Sequence, residues 1–153
     1  MAANAQAMCT SFKQDLLNGL HAFGPSVVRA ANTPDTFKAA LYVTGSSIGA
    51  ATTAYGSTGE VAGANYAAGG VPVTFNTPPT TSGTSAFVTP SANIVYSNVT
   101  LTTAFDCMLL YNSTAAGKNA VASYTFGAQT ITAGTLTLTM PVNAPGTALL
   151  QLS

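Results

Sequence analysis

The sequence predicts an all-β chain, an antiparallel β-sandwich or jelly-roll-like domain with a short N-terminal helix. Three observations carry this expectation. Beyond Pro25 the apolar residues recur with period two, the repeat of a strand with one face turned inward. Clusters of Gly, Pro, Asn and Ser cut the chain into short segments at intervals that suit antiparallel pairing. At 153 residues the chain is long enough for one core and short for two, so residues 1–153 are expected to form a single domain, with residues 1–24 as its helix and arm. No internal repeat and no linker divides it.

The helix comes first. Ser11 and Gln14 stand at capping-box spacing, where the serine hydroxyl accepts from the Gln14 amide and the glutamine side chain reaches back. Phe12, Leu16 and Leu20 follow the four-residue spacing of one buried face, with Leu17 beside them, and Gly19 supplies a stop near Asn18. This helix, roughly two to three turns long, is expected to plug one end of a sheet or to dock on a neighbouring subunit.

Strands are expected at residues 37–43, 71–75, 86–89, 93–96, 99–102, 107–111, 121–126, 129–132, 135–140 and 149–152. In the first, Phe37, Ala39, Leu41 and Val43 alternate with Lys38, Ala40 and Tyr42, after the turn signal Asn32-Thr33-Pro34-Asp35. The clearest alternation is at residues 135–140, where Leu136 and Leu138 face a core and the β-branched threonines between them face solvent or a neighbour. Residues 45–70 and 77–83 are small, polar and rich in Gly or Pro, and read as long loops that either carry a binding surface or lack order.

The charge content narrows the function. Charged residues make up 5% of the chain, against roughly 25% in an ordinary soluble domain. Four cations (Lys13, Arg29, Lys38, Lys118) and four anions (Asp15, Asp35, Glu60, Asp106) sum to zero, so electrostatic repulsion opposes association weakly. Thr, Ser, Asn, Gly and Ala take the place of ions, and they can be buried in an interface without the cost of desolvating charge. A permanent interface is one expectation and a secreted β domain with a neutral surface is the other. Four scattered cations cannot line a phosphate-binding groove, which speaks against DNA or RNA. No run of about 20 apolar residues is present to span a bilayer as a helix. Residues 1–9 lack a basic n-region, and no apolar h-region follows before Lys13 and Asp15, so synthesis and retention in a cytoplasm until assembly are expected.

No catalytic, cofactor-binding or metal-ligating residue is expected. The single histidine, His21, follows the helix beside Ala22 and Phe23, a place where it caps a carbonyl or packs on an aromatic ring more readily than it serves as an acid or base. The four carboxylates stand in separate segments. No nucleophile elbow, phosphate loop or dinucleotide fingerprint occurs, and Gly45-Ser46-Ser47-Ile48-Gly49 lacks the lysine of a phosphate loop. The sequons at Asn98 and Asn112 presuppose secretion. Cys9 and Cys107 have neither metal-knuckle nor redox spacing and are expected to be free thiols. Glu60 and Asp106 are each expected either to pair with a cation, which at a subunit contact would set register, or to lie in solvent.

The order of segments carries a resemblance. A short helix ends in Leu16-Leu17-Asn18-Gly19, followed by Asp35-Thr36-Phe37-Lys38-Ala39-Ala40-Leu41-Tyr42, Gly59-Glu60-Val61 and Tyr66-Ala67-Ala68-Gly69-Gly70. Cys107-Met108-Leu109-Leu110-Tyr111-Asn112-Ser113 then turns into Ala122-Ser123-Tyr124-Thr125-Phe126-Gly127, and Gln129-Thr130-Ile131-Thr132-Ala133-Gly134-Thr135-Leu136-Thr137-Leu138 closes the series. Over nearly its whole length the chain resembles the small virion proteins of tailed bacteriophages, of the head-decoration or cement kind. That resemblance implies a non-enzymatic capsid decoration protein on the outer surface of the phage head, made in the bacterial cytoplasm. Its expected partners are the major capsid protein and further copies of itself in a dimer or trimer, with no nucleic acid, membrane or cofactor. Alternatives are a tail or head-fibre component, a tail-tube or connector part, and a receptor- or carbohydrate-binding module; zero Trp and six Tyr weigh against the last.

Overall fold

The computed structural model describes residues 3–9, 11, 12, 16, 20, 21, 23, 24 and 34–152. Among these, eight strands are β1 (Ala7–Met8), β2 (Phe37–Val43), β3 (Val71–Val73), β4 (Thr80–Ser82), β5 (Ser85–Val88), β6 (Ile94–Asn112), β7 (Ala120–Leu138) and β8 (Leu150–Leu152). They form two sheets, β1-β7-β6-β2-β3 and β4-β5-β8, with antiparallel pairing throughout. The all-β, antiparallel expectation holds at this level. The helix expected between Ser11 and Leu20 falls largely on residues 13–15 and 17–19, which lie outside the described residues. Of its apolar positions, Phe12 is buried and Leu16 packs half-buried against the core.

The central hairpin differs from expectation in length. Where periodicity suggests three strands on each side, β6 and β7 each run unbroken for 19 residues. The residues that look like breaks are absorbed as bulges. Asn98 (φ 53°) and Ala133 (φ 46°) adopt left-handed backbone, and the β6–β7 register shifts between Tyr96 and Val99 and again between Val99 and Leu101. A bulge takes up an extra residue in a local kink and lets pairing resume beyond it, so a turn-forming residue need not end a strand. β4 lies within the expected 77–83 loop; all three of its residues are polar and exposed, so it offers no alternation to read. β1 is two residues long and equally invisible to periodicity.

β2 departs from simple alternation as well. Ala40 and Tyr42 are as fully buried as Leu41, so both faces of this strand are covered. At its start Phe37 stacks on Phe23 (centroids 4.4 Å apart), while Phe75 meets both rings edge-on at 5.2 and 5.3 Å. Val88 of β5 and Leu150 of β8 belong to the same buried cluster, which joins the smaller sheet to the larger.

The segment 44–70 is neither an excursion into solvent nor free of structure. It runs along the open edges of the large sheet. Val43 N donates to Gly59 O and Val61 N to Leu41 O, extending the sheet past the end of β3. Further on, Thr44 N bonds Ala104 O and Thr100 N bonds Ala64 O, which covers the β6 edge where β2 has ended. Gly63 lies so close to the Thr100 carbonyl that a Cβ there would overlap it. The stretch 53–55 meets the start of β7, with Ala120 N donating to Thr53 O and Tyr55 N to Lys118 O. Each contact satisfies backbone groups that a bare edge would leave exposed.

Candidate interaction surface

The polar side chains serve mainly to hold these loops. Glu60 lies at the centre of one network. Tyr55 donates to its Oε2 at 2.6 Å, Tyr66 to its Oε1 at 2.8 Å, and the Gly69 amide to the same oxygen at 2.7 Å. Tyr66 Oη also accepts from the Leu41 amide. Tyr42 donates to Gly56 O, Tyr96 to Ala39 O, Tyr111 to Gly69 O and Tyr124 to Leu149 O, so each of the six tyrosine hydroxyls is held in a hydrogen bond within the chain. Tyr55 stacks on Tyr111 and Tyr66 on Tyr96, with the Lys118 ammonium 5.2 Å above the Tyr55 ring.

A second network is built on Asn112, fully buried at the end of β6. Its Nδ2 donates to Asp35 Oδ2 at 2.9 Å and lies 3.1 Å from His21 Nδ1, while its Oδ1 accepts the Thr114 and Ala115 amides. His21 also packs against Phe12, with ring centroids 5.0 Å apart. The histidine therefore helps to fix the N-terminal segment beside the β6–β7 turn. Asn4 makes a third clamp, donating to Asp106 Oδ1 and Val43 O and accepting the Ile48 amide. Glu60 and Asp106, each expected to meet a cation or solvent, instead receive tyrosine hydroxyls with an amide and an asparagine side chain, respectively.

Cys9 and Cys107 are both free and fully buried. Burial pushes the Cys9 thiol up to about 11; burial, reinforced by the Asp106 carboxylate, pushes Cys107 up to about 12. Burial also raises the Tyr42, Tyr66, Tyr96 and Tyr124 phenols, and the Glu60 carboxylate adds to the first three. All these acids hold their protons more tightly folded than unfolded. The thiols' contribution to stability is whole below their ordinary value of 9.0 and is lost as pH rises through the folded values near 11 and 12. The phenols, raised from 10.0, act with the same sign at higher pH. Thermal melting is thus expected to stay level through neutral pH and to fall above roughly pH 9. Tyrosinate absorbance should rise only as the sheet signal disappears; ionisation of most tyrosines in an intact sheet would contradict the stapled arrangement.

The exposed hairpin of the small sheet carries no charge. Residues 80–84, the exposed arm and turn of the β4–β5 hairpin, read Thr80-Thr81-Ser82-Gly83-Thr84. Beside the small sheet is an apolar cleft of about 120 Å³, with Phe12, Leu16, Phe23, Phe87, Leu150 and Leu152 in its lining. Of the two loops expected to carry contacts, 45–70 is anchored to the sheet yet leaves Ser57, Thr58, Ala62, Ala67 and Ala68 among its exposed residues, and 77–83 is exposed apart from half-buried Pro78. Among the described residues there is no cluster of three or more His, Cys, Asp or Glu placed to hold a metal ion. Compared with known proteins, the chain matches no family model, no curated protein and no solved structure.

Proposed function

We propose that this chain is a non-enzymatic virion structural protein, a capsid decoration or cement protein that binds the outer face of a tailed-phage head and stabilises neighbouring major capsid subunits. The observation that carries the reading is where the charges go. Only eight ionic side chains are present, and Asp35, Glu60 and Asp106 are all spent as internal acceptors. What the described residues present outward is mainly Thr, Ser, Gly and Ala, with Lys118 as an exposed cation, so a partner can cover most of this surface while desolvating few ions. Such contacts are individually weak. Repeated over a shell and between copies in an oligomer, they hold through avidity.

In this reading the two sheets pack as a β-sandwich or jelly-roll-like body, and the N-terminal segment closes one end as a short helix. Support comes from the shared core of Phe37, Val88 and Leu150 and from the burial of Phe12. The exposed β4–β5 hairpin and the cleft beside it form the face turned to the capsid. Purified protein added to undecorated mature heads is expected to bind at a fixed stoichiometry and to raise their resistance to heat. Folded protein that leaves the heads bare would overturn the reading in favour of a tail or fibre component.

A further inference from the structure

We infer that the free edge of β7, from Gly127 to Leu138, is a pairing edge for the same strand of a second copy of this chain, joined antiparallel about a two-fold axis. The sheet treats its edges unequally. The outer edge of β6 is covered by residues 44 and 64, and the first part of β7 by residues 53–55 and β1, whose ladder reaches only Ala122 and Ser123. From Gly127 onward β7 pairs only with β6 among the described residues. The free run is about 40 Å long at roughly 3.4 Å per residue. Native chains ordinarily blunt such an edge with lysine, proline, a bulge or a covering loop, and here the bulges stop short of Leu136–Leu138. This one has no charge and no proline between Gly127 and Leu138.

Two further features favour a second copy as the occupant. An uncharged strand opposes no like charges when it meets itself, and Thr132, Thr135 and Thr137 all lie exposed, where threonine pairs well with threonine across strands. On the opposite face Ile131 and Leu138 pack against the core yet remain only half-buried, as side chains at the rim of a sheet do when the next strand is missing. A two-fold neighbour would complete the burial of both rows at once. The straightest stretch is Leu136–Leu138, which pairs residue for residue with Ile94–Tyr96 beyond the last register shift, and the ladder is centred on Thr137.

The inference gives a specific surface to the oligomer proposed above but rests on the edge alone, not on head binding. Sedimentation of the full chain is expected to show twice the chain mass, with amides of residues 136–138 exchanging more slowly as concentration rises. The double variant Thr135→Lys/Thr137→Lys places lysines on exposed side chains at the centre of the ladder, where position 137 of each copy faces its counterpart across the two-fold. It should sediment as a monomer with an unchanged β-sheet spectrum. A wild-type monomer at every concentration, a stoichiometry other than two, or a dimer that the lysines leave intact would overturn the inference. A monomer that still decorates heads would overturn it and leave the proposed function standing.

Discussion

Replacing Phe37 with alanine is expected to destabilise the protein by about 3–5 kcal/mol. Phe37 opens β2 at 2% exposure, stacked on Phe23 and edge-on to Phe75. Its backbone is paired on both sides, with Asn112 of β6 and Val73 of β3, so the strand cannot move in to fill the space. The lost transfer energy and the residual cavity therefore add. A domain is ordinarily stable by only about 5–15 kcal/mol, so the variant should be largely unfolded at moderate denaturant. Urea titration should show a lower midpoint at unchanged slope. A loss below about 1 kcal/mol would mean that the phenylalanine cluster is not the packing centre described here.

Gly70→Ala is the second large effect, expected to cost about 4 kcal/mol through backbone rather than side-chain packing. Gly70 has φ 74°, a conformation in which an L side chain costs roughly 1–2 kcal/mol. A Cβ there would also overlap the carbonyl oxygen of Ala39, which lies in β2 and receives the Tyr96 hydroxyl. Shifting that backbone adds roughly 1–3 kcal/mol. The chain enters β3 immediately after Gly70, so the damage should appear as lost protection of the β2–β3 amides in hydrogen exchange. A variant as stable as the parent would show that the loop does not approach β2 this closely.

Much of the sheet was legible because burial on one face leaves a period-two trace. β2 was read at its observed bounds, and Leu136 and Leu138 were read inward while Thr135 and Thr137 were read outward, as found. The continuity of β6 and β7 was not legible, because Asn98 and Gly134 look like turn formers and only tertiary pairing turns them into bulge positions. The tyrosine network was hidden for a different reason. Tyr96 bonds residue 39 and Tyr111 bonds residue 69, separations at which sequence pattern carries no signal. One clue was present in the Gly69-Gly70 pair, which permits backbone to approach backbone, but its meaning depends on which strand it meets. The low charge was legible from composition alone, whereas the inward use of the carboxylates was not.

The proposal that an uncharged face docks this chain onto a phage head is tested most directly by the salt dependence of head binding. Occupancy is to be measured on undecorated mature heads across roughly 0.05 to 0.5 M salt, a range over which exposed charge pairs are progressively screened. Burial of Thr, Ala and backbone groups predicts an association constant that changes by less than about threefold, since no ion pairs are lost to screening. A steep fall in affinity with salt, or no binding at any salt by protein shown to be folded, would contradict it.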